Sequence, residues 1–272
     1  MRGFTMIEMV VVIAITGILA AAVAVFIRRP VEGYIDAARR AELSDIADTA
    51  LRRITRDLRA ALPNSIRITT AGNVTYLEYL QTSGGGRYRA ELDSSGAGNF
   101  LDFTAADASF DVIGTMPALA AGNSIVIYNL SPTGGTANAY VGDNRELVNV
   151  GASTATTIAL NAAKLFPFAS PGKRFQVVEH AVTYACDPIG AKTVRRIAGY
   201  AIQAAQPNNV AAAPLSTAPS NTLLASNITG CSFSYAASGA TARTGILALE
   251  LLVSKDGETV RLFQQAHVSN VP

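Results

Sequence analysis

The first 27 residues place the strongest constraint on how this chain can fold. An unbroken apolar run extends from Met9 to Ile27, and Thr16 carries its only hydroxyl group. At about 1.5 Å of rise per helical residue the run spans roughly 28 Å, close to the roughly 30 Å hydrocarbon thickness of a bilayer. The sequence therefore predicts a transmembrane helix over residues 4–27.

Glu8 stands at the entrance of this apolar run. A charged side chain is costly in hydrocarbon, so an acid at this position indicates a function and requires a partner. Two simpler interpretations of the stretch exist. One is a cleavable secretory signal with an A-x-A site at Ala20-Ala21-Ala22. The other is an uncleaved membrane anchor in which Glu8 has no role.

A third interpretation rests on the string Arg2-Gly3-Phe4-Thr5-Met6-Ile7-Glu8. It resembles the processing site of type IV prepilins and type II secretion pseudopilins. In that family a basic leader ends in Gly, the mature chain begins with Phe, and a Glu stands five residues into the mature chain. The resemblance implies a leader peptide of residues 1–3, cleavage after Gly3 and N-methylation of Phe4 by a prepilin peptidase.

Cleavage after Gly3 would create an amine on Phe4, close to the carboxylate of Glu8. Two opposite charges that are each costly in a low dielectric become tolerable as a pair. Phe4 and Glu8 are one helical turn apart and could pair within one chain. The filament assembly of the family implies instead that the amine of one subunit meets Glu8 of the next. The sequence leaves both arrangements open.

Composition and cysteine content narrow the class of the remaining chain. The 272 residues allow one sizeable core plus a stem, or two small domains. Charged residues make up 15% and the net charge is +2, so no overall basic bias favours nucleic-acid binding. Cys186 and Cys231 are the only cysteines, which suits one disulfide in an oxidising compartment; two free thiols in a cytosolic head are the alternative. The arginines on both sides of the apolar run do not settle its orientation.

Residues 31–62 carry a helical pattern, in which apolar residues recur at steps of three and four. Pro63-Asn64 ends the pattern. The prediction is one N-terminal stem helix over residues 4–62, which Pro30 kinks or restarts. Gly17 is either the hinge at which stems of this family unwind locally or a small residue for close helix packing.

Four arginines of the stem could bind phosphate groups. They are Arg52, Arg53, Arg56 and Arg59. Because Asp45, Asp48 and Asp57 are interleaved with them, a mixed-sign surface that faces solvent or another subunit is the preferred interpretation. No nucleic-acid partner is expected.

After Pro63 the sequence changes to short β-like runs separated by Gly, Pro, Asn and Ser. Asp256-Gly257 between two alternating runs is a strong hairpin signal. The segments 84–86, 96–98 and 203–220 are predicted as loops. The predicted strands are 66–69, 74–80, 88–92, 100–104, 124–130, 146–150, 156–160, 175–186, 193–202, 231–235, 245–254 and 259–267. One helix followed by many antiparallel strands predicts an α+β, pilin-like fold, with a β-rich globular head over residues 63–272.

The sequence contains no recognisable catalytic constellation. His180 and His267 are the only histidines and lack neighbouring Cys ligands, so both are predicted to be strand residues rather than metal ligands. Asp143-Asn144 lacks the acidic spacing of a dedicated calcium loop, and no Gly-x-Ser-x-Gly elbow is present. We expect neither enzymatic activity nor a metal or cofactor.

The predicted strands exceed the needs of a minimal pilin head. The closing strands, with Cys186, Cys231, the Asp256-Gly257 hairpin and the tail 267–272, are similar to O-type minor pilins of the mannose-sensitive haemagglutinin (MSHA) pilus; W-type minor pilins and J-type pseudopilins are relatives. The resemblance implies a single-pass inner-membrane protein with a periplasmic head, which joins the pilus in its priming or tip complex. Implied partners are the prepilin peptidase, other major and minor pilin subunits and the inner-membrane assembly platform. A type II secretion pseudopilin and a membrane-anchored adhesin stay open as alternatives.

Overall fold

The computed structural model describes residues 3–237 and 244–272, so Met1 and Arg2 of the expected leader lie outside the described residues. One helix, α1, runs from Met6 to Leu58 over 53 residues, or about 80 Å at 1.5 Å per residue. The strands of the described ranges are β1 (Arg67–Ala71), β2 (Val74–Tyr88), β3 (Asp107–Ile113), β4 (Ser124–Ile127), β5 (Arg145–Leu147), β6 (Thr157–Lys164), β7 (Arg174–Asp187), β8 (Thr193–Tyr200), β9 (Ser220–Ser226), β10 (Ile228–Ala237), β11 (Thr244–Lys255) and β12 (Glu258–Ser269).

The strands form two antiparallel sheets. The larger sheet has nine strands, with β5-β4-β7-β2-β3-β6 as its main order, β1 on β2, β8 on β7 and β9 on β8. The smaller sheet has the order β10-β11-β12. One long apolar helix followed by a large antiparallel head confirms the predicted α+β, pilin-like class.

The helix continues through both positions at which the sequence suggested an interruption. Pro30 lies inside α1 and neither ends nor restarts it. Gly17 also lies within the helix, and a Cβ built on it would find no atom within 4 Å. Close packing at Gly17 therefore has no partner within the described chain.

The helix ends at Leu58, before the predicted boundary at residue 62. The backbone beyond Leu58 pairs with β2 instead. The N–H of Leu62 donates to the carbonyl of Leu80 at 2.8 Å, and the N–H of Thr82 donates to the carbonyl of Ala60 at 2.8 Å. Groups engaged across this junction cannot also extend the helical ladder. The apolar pattern reaches Leu62 because that side chain is still buried, in the head.

The second half of α1 packs against both sheets, and its buried face forms the main core. From the helix this core includes Leu43, Ala47, Ala50, Leu51, Ile54 and Leu58. From the larger sheet it includes Leu77, Tyr79, Val182 and Tyr184, and from the smaller sheet Leu247, Leu249, Leu251 and Val253. In β11 these residues alternate with less buried ones, so one face of that strand meets the stem. Residues 76–80 of β2 and 181–186 of β7 are instead buried on both faces.

The Asp256-Gly257 turn joins β11 to β12 and confirms the predicted hairpin. Both residues have positive φ, at 51° and 86°. Two central residues of positive φ are characteristic of a type I′ turn, whose twist matches that of the flanking strands.

The prediction of a loop at Gly84–Gly86 was wrong, because these glycines lie inside β2 and pair with β7. A close approach of the two strands explains their composition. A Cβ built on Gly85 would lie 2.6 Å from the carbonyl oxygen of Phe175, which is backbone and cannot rotate away. The strands come together here because the side chain is missing.

Two strands were not predicted, β3 and β9, and two predicted strands are largely absent. Only Tyr88 of the segment 88–92 belongs to a strand, and none of 100–104 does. In the latter, the Asp102 carboxylate accepts hydrogen bonds from both the N–H and the hydroxyl of Thr104, each at 2.7 Å. Such a local turn satisfies the backbone without a partner strand.

Gly85→Ala tests the close approach of β2 to β7. We expect it to lower the free energy of unfolding by about 1–3 kcal/mol, because the backbone of β7 must move. The matched control is Gly84→Ala, whose Cβ would make an ordinary 3.5 Å contact with Pro117. Urea unfolding of the detergent-solubilised chain measures both; equal stabilities would contradict the explanation.

Candidate processing and assembly site

A capping box sets the start of α1. Thr5 is the N-cap, and its hydroxyl accepts a hydrogen bond from the N–H of Glu8 at 3.4 Å. In return, the carboxylate of Glu8 accepts from the N–H of Thr5 at 3.1 Å and from its hydroxyl at 3.0 Å. Each residue thus satisfies a backbone donor that the helix start would leave unpaired.

The capping box gives Glu8 a partner that sequence reasoning missed. The signal was present, since Thr5-x-x-Glu8 in front of an apolar run is the usual capping-box pattern. Cleavage after Gly3 would leave this arrangement intact, because the N–H of Thr5 stays an amide. The single chain therefore hydrogen-bonds its carboxylate without any help from a neighbour.

The predicted cleavage point projects beyond the helix. Phe4 precedes the N-cap and its exposure is 80%. A Cβ built on Gly3 would find no atom within 4 Å, so the fold of this chain does not itself require glycine there. The Gly3–Phe4 bond is thus accessible, and a requirement for glycine would come from an external processing enzyme.

The apolar half of α1 has the length and composition to cross a membrane. No part of its most apolar window is buried by the rest of the described chain. An apolar surface of this length must be covered by lipid or by other helices, because it is far larger than the patches that soluble monomers expose. The helix thus fits a membrane-anchored subunit.

Asp57 joins the stem to the head at the far end of α1. Its carboxylate accepts from the hydroxyl of Tyr184 at 2.8 Å and from Nε of Arg196 at 2.7 Å. Nε of Arg53 lies 2.9 Å from its second oxygen. Burial alone would raise the pKa of Asp57, but the hydrogen bonds from Tyr184 and Arg196 and the nearby positive charges outweigh it and lower that pKa.

The other stem arginines form a surface of mixed sign, in line with the preferred interpretation. Arg52 pairs with Asp48 at 2.6 Å. Arg56 and Arg59 are exposed. Of the four stem arginines, two are thus in ion pairs and two are exposed to solvent.

Three ion pairs hold the β11–β12 turn against the stem, at a point closer to the apolar half of α1 than Asp57 is. Arg40 reaches Glu258 at 2.7 Å, Lys255 reaches Glu42 at 2.9 Å, and Arg39 reaches Asp256 at 3.7 Å. Each pair is solvent-exposed and individually weak. Together they place the turn of the smaller sheet beside residues 39–42.

A disulfide joins Cys186 of β7 to Cys231 of β10, with their Cα atoms 6.6 Å apart. It therefore links the larger sheet to the smaller one. In the chain-entropy description, a crosslink that closes a loop of 45 residues adds about 4 kcal/mol of stability.

A buried ion pair that the sequence did not reveal fixes the loop after β8. Nε of Arg67 donates to Glu78 at 2.6 Å, and the hydroxyl of Tyr200 donates to the same carboxylate at 2.7 Å. Arg67 also donates to the carbonyls of Gln203 and Ala204. The Arg67 and Glu78 side chains are only 4% and 0% exposed. Spacing within the sequence could not have paired two residues that meet only through β1–β2 register.

The remaining sequence candidates occupy structural positions. His180 lies in β7 and His267 in β12. The carboxylate of Asp143 accepts from the N–H groups of Ala137 and Asn138, both at 2.7 Å, and so shapes its own loop. Within residues 3–237 and 244–272, no group of three His, Cys, Asp or Glu side chains is placed to hold a metal ion.

One family model matches the amino end of the chain. Residues 1–24 match the family model described as the prokaryotic N-terminal methylation motif. The match supports assignment to the type IV pilins and pseudopilins, a family of structural subunits rather than enzymes. No curated protein and no solved structure matches the chain.

Asp57→Ala tests the junction between stem and head. We expect a loss of about 3 kcal/mol at neutral pH, because the variant leaves Arg196 and Tyr184 without their buried partner. A carboxyl whose pKa is lowered by folding stabilises the fold above its unfolded pKa of about 4, and this contribution is lost as the pH falls through the folded value. The variant should therefore lose less stability than the parent between about pH 5 and pH 2.

Urea unfolding of the solubilised chain across this pH range measures the effect. Asp48→Ala is the control, because it removes an exposed carboxylate of the same helix. Parallel acid profiles of the parent and Asp57→Ala would show that Asp57 is not the titrating group.

Proposed function

We propose that this chain is a prepilin-type subunit that is cleaved after Gly3, N-methylated on Phe4, stored in the membrane and then inserted into a filament. In this proposal residues 1–3 form the leader, residues 4–27 the membrane span and residues 63–272 the head. The observation that carries it is an accessible Gly3–Phe4 bond immediately before a capped helix whose apolar first half is exposed. The match to the methylation motif supports the same conclusion.

The position of Glu8 supports a role in assembly. While the subunit is stored in the membrane, its carboxylate is held by Thr5. During insertion, the amine that cleavage creates on Phe4 of a neighbouring subunit offers the Glu8 carboxylate a positively charged partner. Thr5 offers hydrogen bonds but no charge. Pairing in a low dielectric then favours the assembled register.

The finer assignment is a minor pilin of an MSHA-type pilus, in the priming or tip complex. A nine-stranded sheet and a further three-stranded sheet make a head larger than a filament shaft requires. The resemblance of its closing strands to O-type minor pilins favours this over W-type minor pilins and J-type pseudopilins. Its partners would be the prepilin peptidase, other major and minor pilins and the inner-membrane assembly platform.

The proposed location is the inner membrane, with the head in the periplasm until assembly. The disulfide supports an oxidising compartment for the head, since such bonds rarely persist in the cytosol. The amino end, with the processing site, then lies on the cytoplasmic side.

The mature amino terminus tests processing directly. Mass spectrometry of protein from its native membrane should find N-methylated phenylalanine at Phe4, because cleavage after Gly3 exposes that amine. A terminus at Val23 would mean ordinary signal cleavage and would overturn the proposal.

Three variants separate the charge of Glu8 from its capping role. Glu8→Gln keeps acceptors for Thr5 but removes the charge, so we expect normal processing and membrane insertion but at least about tenfold less chain in sheared filaments. Glu8→Ala should behave in the same way or worse. Thr5→Ala removes the cap and keeps the charge, so filament incorporation should survive.

Quantitative immunoblotting of the sheared-filament and membrane fractions measures these outcomes. Normal incorporation of Glu8→Gln would exclude the charge pair. Loss of incorporation in Thr5→Ala alone would assign Glu8 to helix capping only.

A further inference from the structure

The smaller sheet ends in a long edge strand. β12 pairs with β11 through twelve consecutive residue pairs, from Lys255–Glu258 to Thr244–Ser269, without a register shift. No other described strand pairs with β12. Twelve residues of antiparallel strand present an edge of about 41 Å.

The turn geometry identifies the backbone groups that face this edge. In a hairpin with a two-residue type I′ turn, the flanking residues Lys255 and Glu258 form a hydrogen-bonded pair. Hydrogen-bonded and non-hydrogen-bonded pairs then alternate along the ladder. Even-numbered residues of β12 therefore bond to β11, and odd-numbered residues direct their N–H and C=O groups outward. The outward set is Thr259, Arg261, Phe263, Gln265, His267 and Ser269.

This edge lacks the usual protection against another strand. Proteins prevent exposed edge strands from pairing with another chain by means of proline, bulges or outward charges. β12 contains no proline and no bulge. The charge of Arg261 is paired with Glu250 of β11 at 2.6 Å. The Phe263 side chain is 58% exposed, and Val260 and Leu262 on the stem side are only partly buried. The edge is thus built like the interior of a wider sheet.

β12 runs alongside the stem and in the same direction. Its first residue, Glu258, contacts Arg40, and the carbonyl of Asn270, just after its end, accepts a hydrogen bond from the side chain of Asn64 at 3.3 Å. A subunit whose stem packs beside this one in the same direction, as the proposed function requires, can therefore present its head to this edge.

A second copy of β12 cannot fill the edge in such a filament. Antiparallel pairing of two β12 strands would point the two stems in opposite directions, which one membrane does not allow. Parallel pairing about a twofold axis along the strands would put the stems on opposite faces of the joined sheet. With a layer spacing of about 10 Å on each face, they would lie roughly 20 Å apart, beyond the 8–10 Å at which helices pack.

We propose that the edge of β12 accepts an extended strand from the head of a different subunit, one that carries the same N-terminal methylation motif. The main-chain groups of the six outward residues bind that strand, and Phe263 and Leu262 contact its side chains on the two faces. The inference rests on the proposed function for the identity of the partner and on the β12 geometry for the mode of binding.

Site-specific photo-crosslinking in the native cells tests this mode. Benzoylphenylalanine replaces Phe263 at the edge or, as a control, Ser234, which is exposed on β10 of the same sheet and pairs through Ala248 to the level of Gln265. We expect an adduct with another methylation-motif subunit from position 263 and none from position 234.

Proline scanning of the edge supplies the second arm. Gln265→Pro removes an outward N–H and leaves the β11 ladder intact, so it should reduce the adduct at least about tenfold, whereas Gln265→Ala should leave it within about twofold. His267→Pro and His267→Ala repeat the comparison if Gln265→Pro fails to fold.

An absent adduct, an adduct with a second copy of this chain, or an adduct insensitive to proline would overturn the inference. The mature terminus and the filament fraction are measured on the same samples. Methylated Phe4 and normal incorporation with no adduct would reject the edge while the proposed function stands; an unprocessed Phe4 would reject the function itself.

Discussion

The whole arrangement depends on the burial of one face of α1 from Leu43 onward. This face packs against both the larger and the smaller sheet, so the helix belongs to one core that the two sheets share. Because the buried face starts only at Leu43, the first half of the helix stays outside the head. The same contact fixes the direction of β12 along the stem, and with it the orientation of the edge that we propose binds a neighbour.

The two halves of the helix thus have different surroundings, lipid for the first and the head and water for the second, and the sequence changes between them. Residues 9–27 are apolar all round, as lipid requires. Beyond Pro30 the apolar residues narrow to one stripe, and charges such as Asp48, Arg52 and Asp57 appear between them. Those charges serve different purposes: Arg52 is exposed with Asp48, whereas Asp57 is enclosed by groups from both stem and head.

The features that could be predicted are those carried by local pattern. Helical periodicity gave the stem, Asp256-Gly257 gave the hairpin, and two cysteines leave one possible intramolecular bridge. Tertiary contacts decided the rest. Gly84–Gly86 resembles a loop until the approach of Phe175 is known, and Arg67 meets Glu78 only across a strand pair. Two misses were avoidable: the alternation of Phe110 and Val112 in β3, and the Thr5-x-x-Glu8 cap.

The disulfide between β7 and β10 has a mechanical consequence. A pull along the axis of α1 would load all the side-chain contacts between the helix and the two sheets at the same time, rather than one contact after another. The two sheets that hold the helix are covalently joined, so they cannot move fully apart while it is loaded. Reduction of that one bond would leave the two sheets joined only by the backbone between β9 and β10 and by non-covalent contacts, so the head should open around the stem at lower force.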